Sequence, residues 1–181
     1  KLNYECGSKK IDNVKGDVID TCVGYFKNYC DKIDPTNLEV RKKVSEAISN
    51  HPGSYSVNQL LDIYDWVKSN IFYQNVPLDK AAPYKPSETI YTGSGDCKNQ
   101  AVLFASMVKA VGGTARVIAV PECTHAYAEV YFGDITLERI LEIVAEHYPE
   151  QDIMLNIMDY DGEKWLIFDG AGGSYPGDTI P

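Results

Sequence analysis

The sequence predicts an α+β fold, N-terminal helices packed on an antiparallel sheet, and three observations predict it. Apolar residues recur at helical spacing as far as Val111, the pattern then changes to strand alternation, and a late Asp-Gly pair joins two strand candidates as a hairpin. Helices first and strands later indicate segregated elements rather than βαβ units. The 181 residues suit one domain spanning 1–181, since domains commonly run to ~100–200 residues.

The elements follow in order. Val40, Val44, Ala47 and Ile48 stripe a helix that begins after Pro35 and ends before His51-Pro52-Gly53. Ser56 and Gln59 have capping-box spacing, and Val57, Leu60, Leu61, Tyr64 and Val67 continue on one helical face. Residues 75–92 carry Pro77, Pro83 and Pro86 with few apolar side chains, which predicts an extended surface loop. That loop delivers the chain to Gly93-Ser94-Gly95-Asp96-Cys97. Ala101, Phe104, Val108 and Val111 then mark a helix ended by Gly112-Gly113, because glycine takes the left-handed conformation without a Cβ clash.

Residues 114–120 form a β-branched run closed by Pro121 and predict a buried strand. Residues 125–132 alternate, with Ala126, Ala128, Val130 and Phe132 on one face and His125, Tyr127, Glu129 and Tyr131 on the other. Thr136 caps a helix with the stripe Leu137, Ile140, Leu141, Val144, Ala145 and Tyr148, stopped at Pro149. Residues 153–158 and 164–169 are the last strand candidates, joined through Tyr160-Asp161-Gly162-Glu163.

Composition excludes several functions. A net charge of −9 and a pI near 4.8 argue against nucleic acid, which needs clustered Lys and Arg, and fit an acidic solubilising surface. No stretch approaches the ~18 apolar residues of a membrane span. Asp159-Tyr160-Asp161-Gly162 matches only the opening of a calcium loop and lacks its closing Glu, so the hairpin reading is preferred. Cys6, Cys22, Cys30, Cys97 and Cys123 show no C-x-x-C spacing, so no metal site is expected. With Cys97 reserved for chemistry, the other four allow up to two disulfides in three connectivities, or remain buried thiols. The compartment stays open, the cysteine count leaning to an extracytoplasmic one. A chain opening at Lys1 rather than Met is expected of a processed or excised fragment.

Cys97 is the candidate nucleophile. A free thiol with a pKa near ~8.5 supplies little thiolate at neutral pH, and a helix start favours negative charge through its unpaired N–H groups. Asp96 as N-cap leaves Cys97 at the first helical position, in register with Ala101, Phe104 and Val108. His51 falls in a turn and His147 on a polar helix side, both expected to be solvated, which leaves His125 as base. Asp169 is the candidate orienting carboxylate. Antiparallel pairing of its strand with 125–132 brings the two residues together, with Asp159 and Asp161 as competitors at the other end of the hairpin.

The ordered set Gly95-Asp96-Cys97-Lys98-Asn99-Gln100-Ala101, Gly112-Gly113-Thr114-Ala115-Arg116-Val117, His125-Ala126-Tyr127-Ala128-Glu129-Val130 and Trp165-Leu166-Ile167-Phe168-Asp169 resembles the transglutaminase-like core. Tyr64-Asp65-Trp66-Val67 and Ile71-Phe72-Tyr73 resemble the helix and tyrosine preceding that family's cysteine, so the match covers residues 57–169. The resemblance implies a papain-like fold with Cys97, His125 and Asp169 as a catalytic triad, acting on a protein or peptide substrate without a cofactor. It implies thiol-dependent acyl transfer, with hydrolysis of a peptide or isopeptide bond as first expectation. Cross-linking of Gln to an amine and an inactive binding module are the alternatives. Residues 1–52 lie outside the match as an accessory helical region, and 136–158 read as an insertion, since 44 positions separate His125 from Asp169. Tyr127 stands where the family often has Trp. The expected oxyanion donors are the Cys97 N–H and the loop from Tyr84 to Tyr91, and Tyr73, Tyr84, Tyr91 and Tyr127 are candidate cleft walls.

Overall fold

In the computed structural model, which describes residues 4–5, 8–9, 29–76, 82–119, 125–160 and 162–178, most helices precede the main sheet and one interrupts its strands. Two short strands, β1 (Tyr4–Glu5) and β2 (Ser8–Lys9), pair antiparallel. Helix α1 (Leu38–Ala47) starts at Asn37, whose side chain accepts the Glu39 and Val40 N–H groups, and it buries Val40 and Val44. A 3-10 turn, Ile48–Asn50, ends it.

Helix α2 (Val57–Asn70) carries the expected Ser56–Gln59 capping box. Gln59 is buried although polar, because its Nε2 donates to the carbonyls of His51 at 2.8 Å and Gly53 at 3.3 Å, closing the turn before the helix. Strand β3 (Phe72–Tyr73) follows.

The expected surface loop needs correction over its last third. Residues Pro86–Thr92 form helix α3, with Pro86 in the first turn, Lys85 N–H on Glu88 Oε2 at 2.7 Å, and Gly93 left-handed at φ 62° as its cap. Proline lacks the N–H that a first turn leaves unused, so Pro86 starts a helix here rather than preventing one.

Strand β4 (Ser94–Gly95) pairs parallel with β3 and leads directly into α4 (Cys97–Ala110). Every residue of α4 from Asn99 to Val108 is buried, as expected of a helix packed on all sides. It lies between α1, α2 and α3 and the strands β5 (Thr114–Ala119) and β6 (Ala126–Tyr131).

Helix α5 (Leu137–His147) is capped by Thr136, whose hydroxyl accepts the Arg139 N–H, and packs against α2. It buries Ile140 and Val144 but leaves Leu137 and Leu141 about two-fifths exposed, so the contact is narrower than the apolar stripe. Strands β7 (Ile157–Tyr160) and β8 (Glu163–Phe168) form the hairpin. β7 starts later than the strand candidate at 153–158 implies. The backbone N–H and side-chain Nδ2 of Asn156 are taken by the Gly177 carbonyl, at 2.8 and 2.9 Å, so the preceding chain bonds the C-terminal segment instead of β8.

Among the described residues the main sheet has the order β5-β6-β8-β7, antiparallel throughout. Its inner face carries Ala126, Ala128, Val130 and Phe168 against α4. The rings of Tyr64, Phe104 and Phe168, with centroids 5.4–5.7 Å apart, join α2, α4 and β8 at the centre.

Candidate active site

The segment before Cys97 is pinned on both sides. Phe72 N–H donates to the Gly93 carbonyl and Gln74 N–H to the Gly95 carbonyl, at 2.9 and 3.0 Å, so β3 holds the approach to α4. Gly95 has to be glycine, since a Cβ there would lie 2.7 Å from Asn99 Cβ. Asp96 is the N-cap, with Oδ1 accepting the Asn99 N–H at 3.2 Å and Oδ2 meeting Lys98 Nζ. Cys97 is therefore the first residue of α4, half-buried, and a free cysteine. The Asn99 N–H is occupied by the cap, while the Cys97 N–H belongs to the set that a helix start leaves without intrahelical partners.

His125 stands one residue ahead of β6 and Asp169 one residue beyond β8. The antiparallel register aligning Ala128 with Phe168 brings them side by side, with His125 Nε2 2.8 Å from Asp169 Oδ2. Asp169 is fully buried, and its Oδ1 accepts the N–H groups of Ala171 at 3.1 Å and Gly172 at 3.3 Å. The Cys97 side chain lies close enough to the His125 ring to raise its pKa, so the imidazole stands between the carboxylate and the sulfur. Its pKa is pushed up to about 10, by the Asp169 hydrogen bond first and the Cys97 side chain second, against the opposing effect of burial. The cluster favours an imidazolium between two potential anions.

The four candidate cleft tyrosines separate. Tyr73 pairs with Gly95 on the β3–β4 ribbon, is half exposed, and has its phenol pKa raised by burial first and by the charge at Cys97 second. Tyr127 is buried, its ring 6.2 Å from that of His125. Tyr84 and Tyr91 instead line a separate cavity on α3 with Ser87, Glu88 and Thr92. The Tyr84 N–H is occupied by Asn99 Oδ1 at 2.7 Å, which removes it from the expected oxyanion donors.

Asp159 is exposed in the β7–β8 hairpin, bonding the Gly162 N–H and Lys164, and Asp161 lies outside the described residues. The two remaining histidines are not simply solvated. His51 meets Asp62 and His147 meets Asp65, each at 2.7 Å, because α2 presents those carboxylates one turn apart. Tyr64 and Lys68 contact the Asp169 turn, and although Tyr64 falls in the Tyr64-Asp65-Trp66-Val67 motif, no role at the site was expected of either residue. The signal for Tyr64 was a hydroxyl inside an apolar stripe, which needs a partner once buried.

Among the described residues no group of three or more His, Cys, Asp or Glu side chains is placed to hold a metal ion, and no helix is long and apolar enough to cross a membrane. The family model for the transglutaminase-like superfamily matches residues 38–170. No curated protein matches the chain. Among solved structures, one described as a "putative cysteine protease" from Cytophaga hutchinsonii is 19% identical with a TM-score of 0.47, covering 88% of this chain and 43% of that one. Another, described as a "putative protease" from Parabacteroides distasonis, is 11% identical with a TM-score of 0.48, covering 91% of this chain and 31% of that one. The chain spans less than half the length of either structure. The family match extends from the first residue of α1 to the residue after Asp169 and takes in Cys97 and His125, and the chain belongs to the transglutaminase-like superfamily.

Proposed function

We propose that the protein is a thiol-dependent amide-processing enzyme with Cys97 as nucleophile, His125 as acid and base, and Asp169 as the group that orients His125. The observation that carries this reading is the single imidazole hydrogen-bonded to a buried carboxylate, with its pKa raised also by a half-buried thiol at a helix start. With Nε2 on Asp169, the other ring nitrogen serves the sulfur. The carboxylate fixes that tautomer and stabilises the imidazolium.

In the first half-reaction the Cys97 sulfur attacks an amide carbonyl carbon, and the Cys97 N–H at the helix start is the leading donor to the oxyanion. The tetrahedral adduct collapses by breaking the C–N bond, and His125 passes its proton to the departing amine. A thioester remains on Cys97. In the second half-reaction His125 takes a proton from the acceptor as it attacks the thioester, the C–S bond breaks, and the proton returns to the sulfur or the ring. With water as acceptor the product is a carboxylic acid, and with an amine it is a new amide.

Hydrolysis of a peptide or isopeptide bond is the preferred outcome, supported by the exposure of the site. The His125 side chain is 23% exposed and Cys97 half-buried, so water reaches the thioester. The substrate is a protein or peptide. Peptide amides incubated with wild type and Cys97→Ala test the proposal: acid product from wild type alone supports hydrolysis, and dominant incorporation of an added amine assigns cross-linking instead. A Cys97 thiol that reacts with iodoacetamide no faster than a free thiol near neutral pH sinks the activated pair and leaves a binding module.

The same proposal treats 1–181 as one domain, with 1–52 accessory and 136–158 inserted. It also reserves disulfides for cysteines other than Cys97, supported by Cys97 being free while Cys30 is not. A single free thiol per denatured, unreduced chain is the expected count; three would leave one disulfide, and five would remove the disulfides.

A further inference from the structure

The Asp169 carboxylate works through its position, and that position is set by a turn, 169–173, gripped from α2. The Tyr64 hydroxyl donates to the Asp169 carbonyl at 3.2 Å, an oxygen that also receives the Gly173 N–H at 2.9 Å. One helical turn along α2, the Lys68 ammonium donates to the Gly170 carbonyl at 2.9 Å. The Ala171 and Gly172 N–H groups bind the carboxylate itself. Two of the donors that hold the turn are thus side chains from a helix distant in sequence.

Neither contact is an accident of packing. Tyr64 is fully buried, and a phenylalanine would fill the same ring stack without the cost of sheltering a hydroxyl from water. Its ring lies 5.5 Å from Phe104 on the helix that carries Cys97 and 5.4 Å from Phe168, the neighbour of Asp169. Lys68 is an exposed residue whose ammonium turns back onto backbone. Burial there lowers its pKa, and the charges of Asp169 and Asp178 oppose that change.

The geometry points to Tyr64 and Lys68 as positioning residues of the active site, holding turn 169–173 so that Asp169 Oδ2 meets His125 Nε2. This rests on the catalytic reading above. Neither side chain touches the reacting atoms, and both act through Asp169. Tyr64 fixes the carbonyl of the orienting residue and links it to both elements that bring the thiol and the carboxylate together. Lys68 fixes the next carbonyl and places a positive charge near the carboxylate.

Tyr64→Phe, Lys68→Met and Lys68→Arg in the full chain test the inference. The readings are the His125 titration by NMR, Cys97 alkylation by iodoacetamide, and kcat and KM on a peptide amide that wild type cleaves. In Tyr64→Phe and Lys68→Met, kcat is expected to fall about three- to tenfold with KM within about twofold, as for one strategic hydrogen bond. Their His125 midpoints fall and alkylation slows, while Lys68→Arg recovers wild-type values. Folded variants with unchanged titration and alkylation overturn the inference, even if their melting temperatures drop. Because Lys68 is exposed, its two variants keep the test available if Tyr64→Phe does not fold. If wild type cleaves no amide, the catalytic reading fails, and titration and alkylation still decide the positioning.

Discussion

Asp169→Asn probes the proposed chemistry most directly, because it keeps the shape of a buried side chain and removes only its charge. The asparagine oxygen can still accept the Ala171 and Gly172 N–H groups, so turn 169–173 is expected to hold. The amide nitrogen then faces His125 Nε2 across the present 2.8 Å contact. A donor there forces Nε2 to accept, which shifts the ring proton to the nitrogen facing Cys97. That imidazole can no longer take a proton from the thiol. The corresponding exchange in a Ser-His-Asp triad costs about 10⁴ in kcat. A thiol needs less help from its base than a hydroxyl, so we expect a loss of about 10²–10⁴, or roughly 2.7–5.4 kcal/mol of barrier. The pH dependence follows with a definite sign. A histidine whose folded pKa is raised to about 10 stabilises the fold fully below its unfolded pKa and loses that contribution as pH rises through about 10. Asp169→Asn removes the largest cause of the rise, so stability should change less between about pH 6.5 and 10 than in wild type. Urea midpoints across that range, NMR titration of His125 and rates of Cys97 alkylation measure these effects. An unchanged His125 midpoint with unchanged alkylation would refute the role given to Asp169.

Three further outcomes are expected. Cys97→Ala should abolish turnover while moving the urea-derived stability by no more than about 1 kcal/mol, since the thiol is only half-buried and the cap is carried by Asp96. Gly170→Ala should destabilise by about 1–3 kcal/mol in calorimetry, because its Cβ would lie 2.2 Å from Gln100 Oε1 and 2.9 Å from Phe104 Cε2. Arg116→Met should cost about 3–5 kcal/mol in urea denaturation, since it takes the guanidinium from a fully buried Glu129 at 2.7 Å, and pairing it with Glu129→Leu should recover much of that loss.

The parts of this molecule legible in the sequence are those where local pattern and tertiary packing agree. Helix α2 was readable because Ser56, Gln59 and the stripe through Val67 point to the same cylinder, and β6 because its alternation matches a sheet with α4 on one face. Helix α3 was not, since seven residues are too few for a periodic stripe and Pro86 signals a loop unless its first-turn position is considered. The onset of β7 depends on Asn156 binding the distant Gly177, which no local window contains. The contact of His125 with Asp169 was legible through strand direction. The grip of Tyr64 and Lys68 on turn 169–173 was not, because it joins positions about a hundred residues apart through backbone carbonyls that leave no mark on side-chain pattern.

The three candidate site residues sit at the ends of their elements: Cys97 opens α4, His125 precedes β6 and Asp169 follows β8. Their geometry is therefore a consequence of how three rigid elements are offset. Register between β6 and β8 fixes His125 against Asp169, and a slip would exchange the inner and outer faces of a strand buried along most of its length. No equivalent ladder fixes α4 against the sheet. That distance is set by packing, and the contact that reports it is the Phe104–Phe168 pair, edge-on at 5.7 Å with Tyr64 across both rings. Truncation of Phe104, fully buried about two turns along α4 from Cys97, should therefore loosen the approach of Cys97 to His125 while leaving His125–Asp169 intact. A change confined to alkylation of Cys97, with the Asp169 contribution to the His125 titration preserved, would separate the two joints of the site, whereas loss of both together would mean that the sheet edge also depends on this helix.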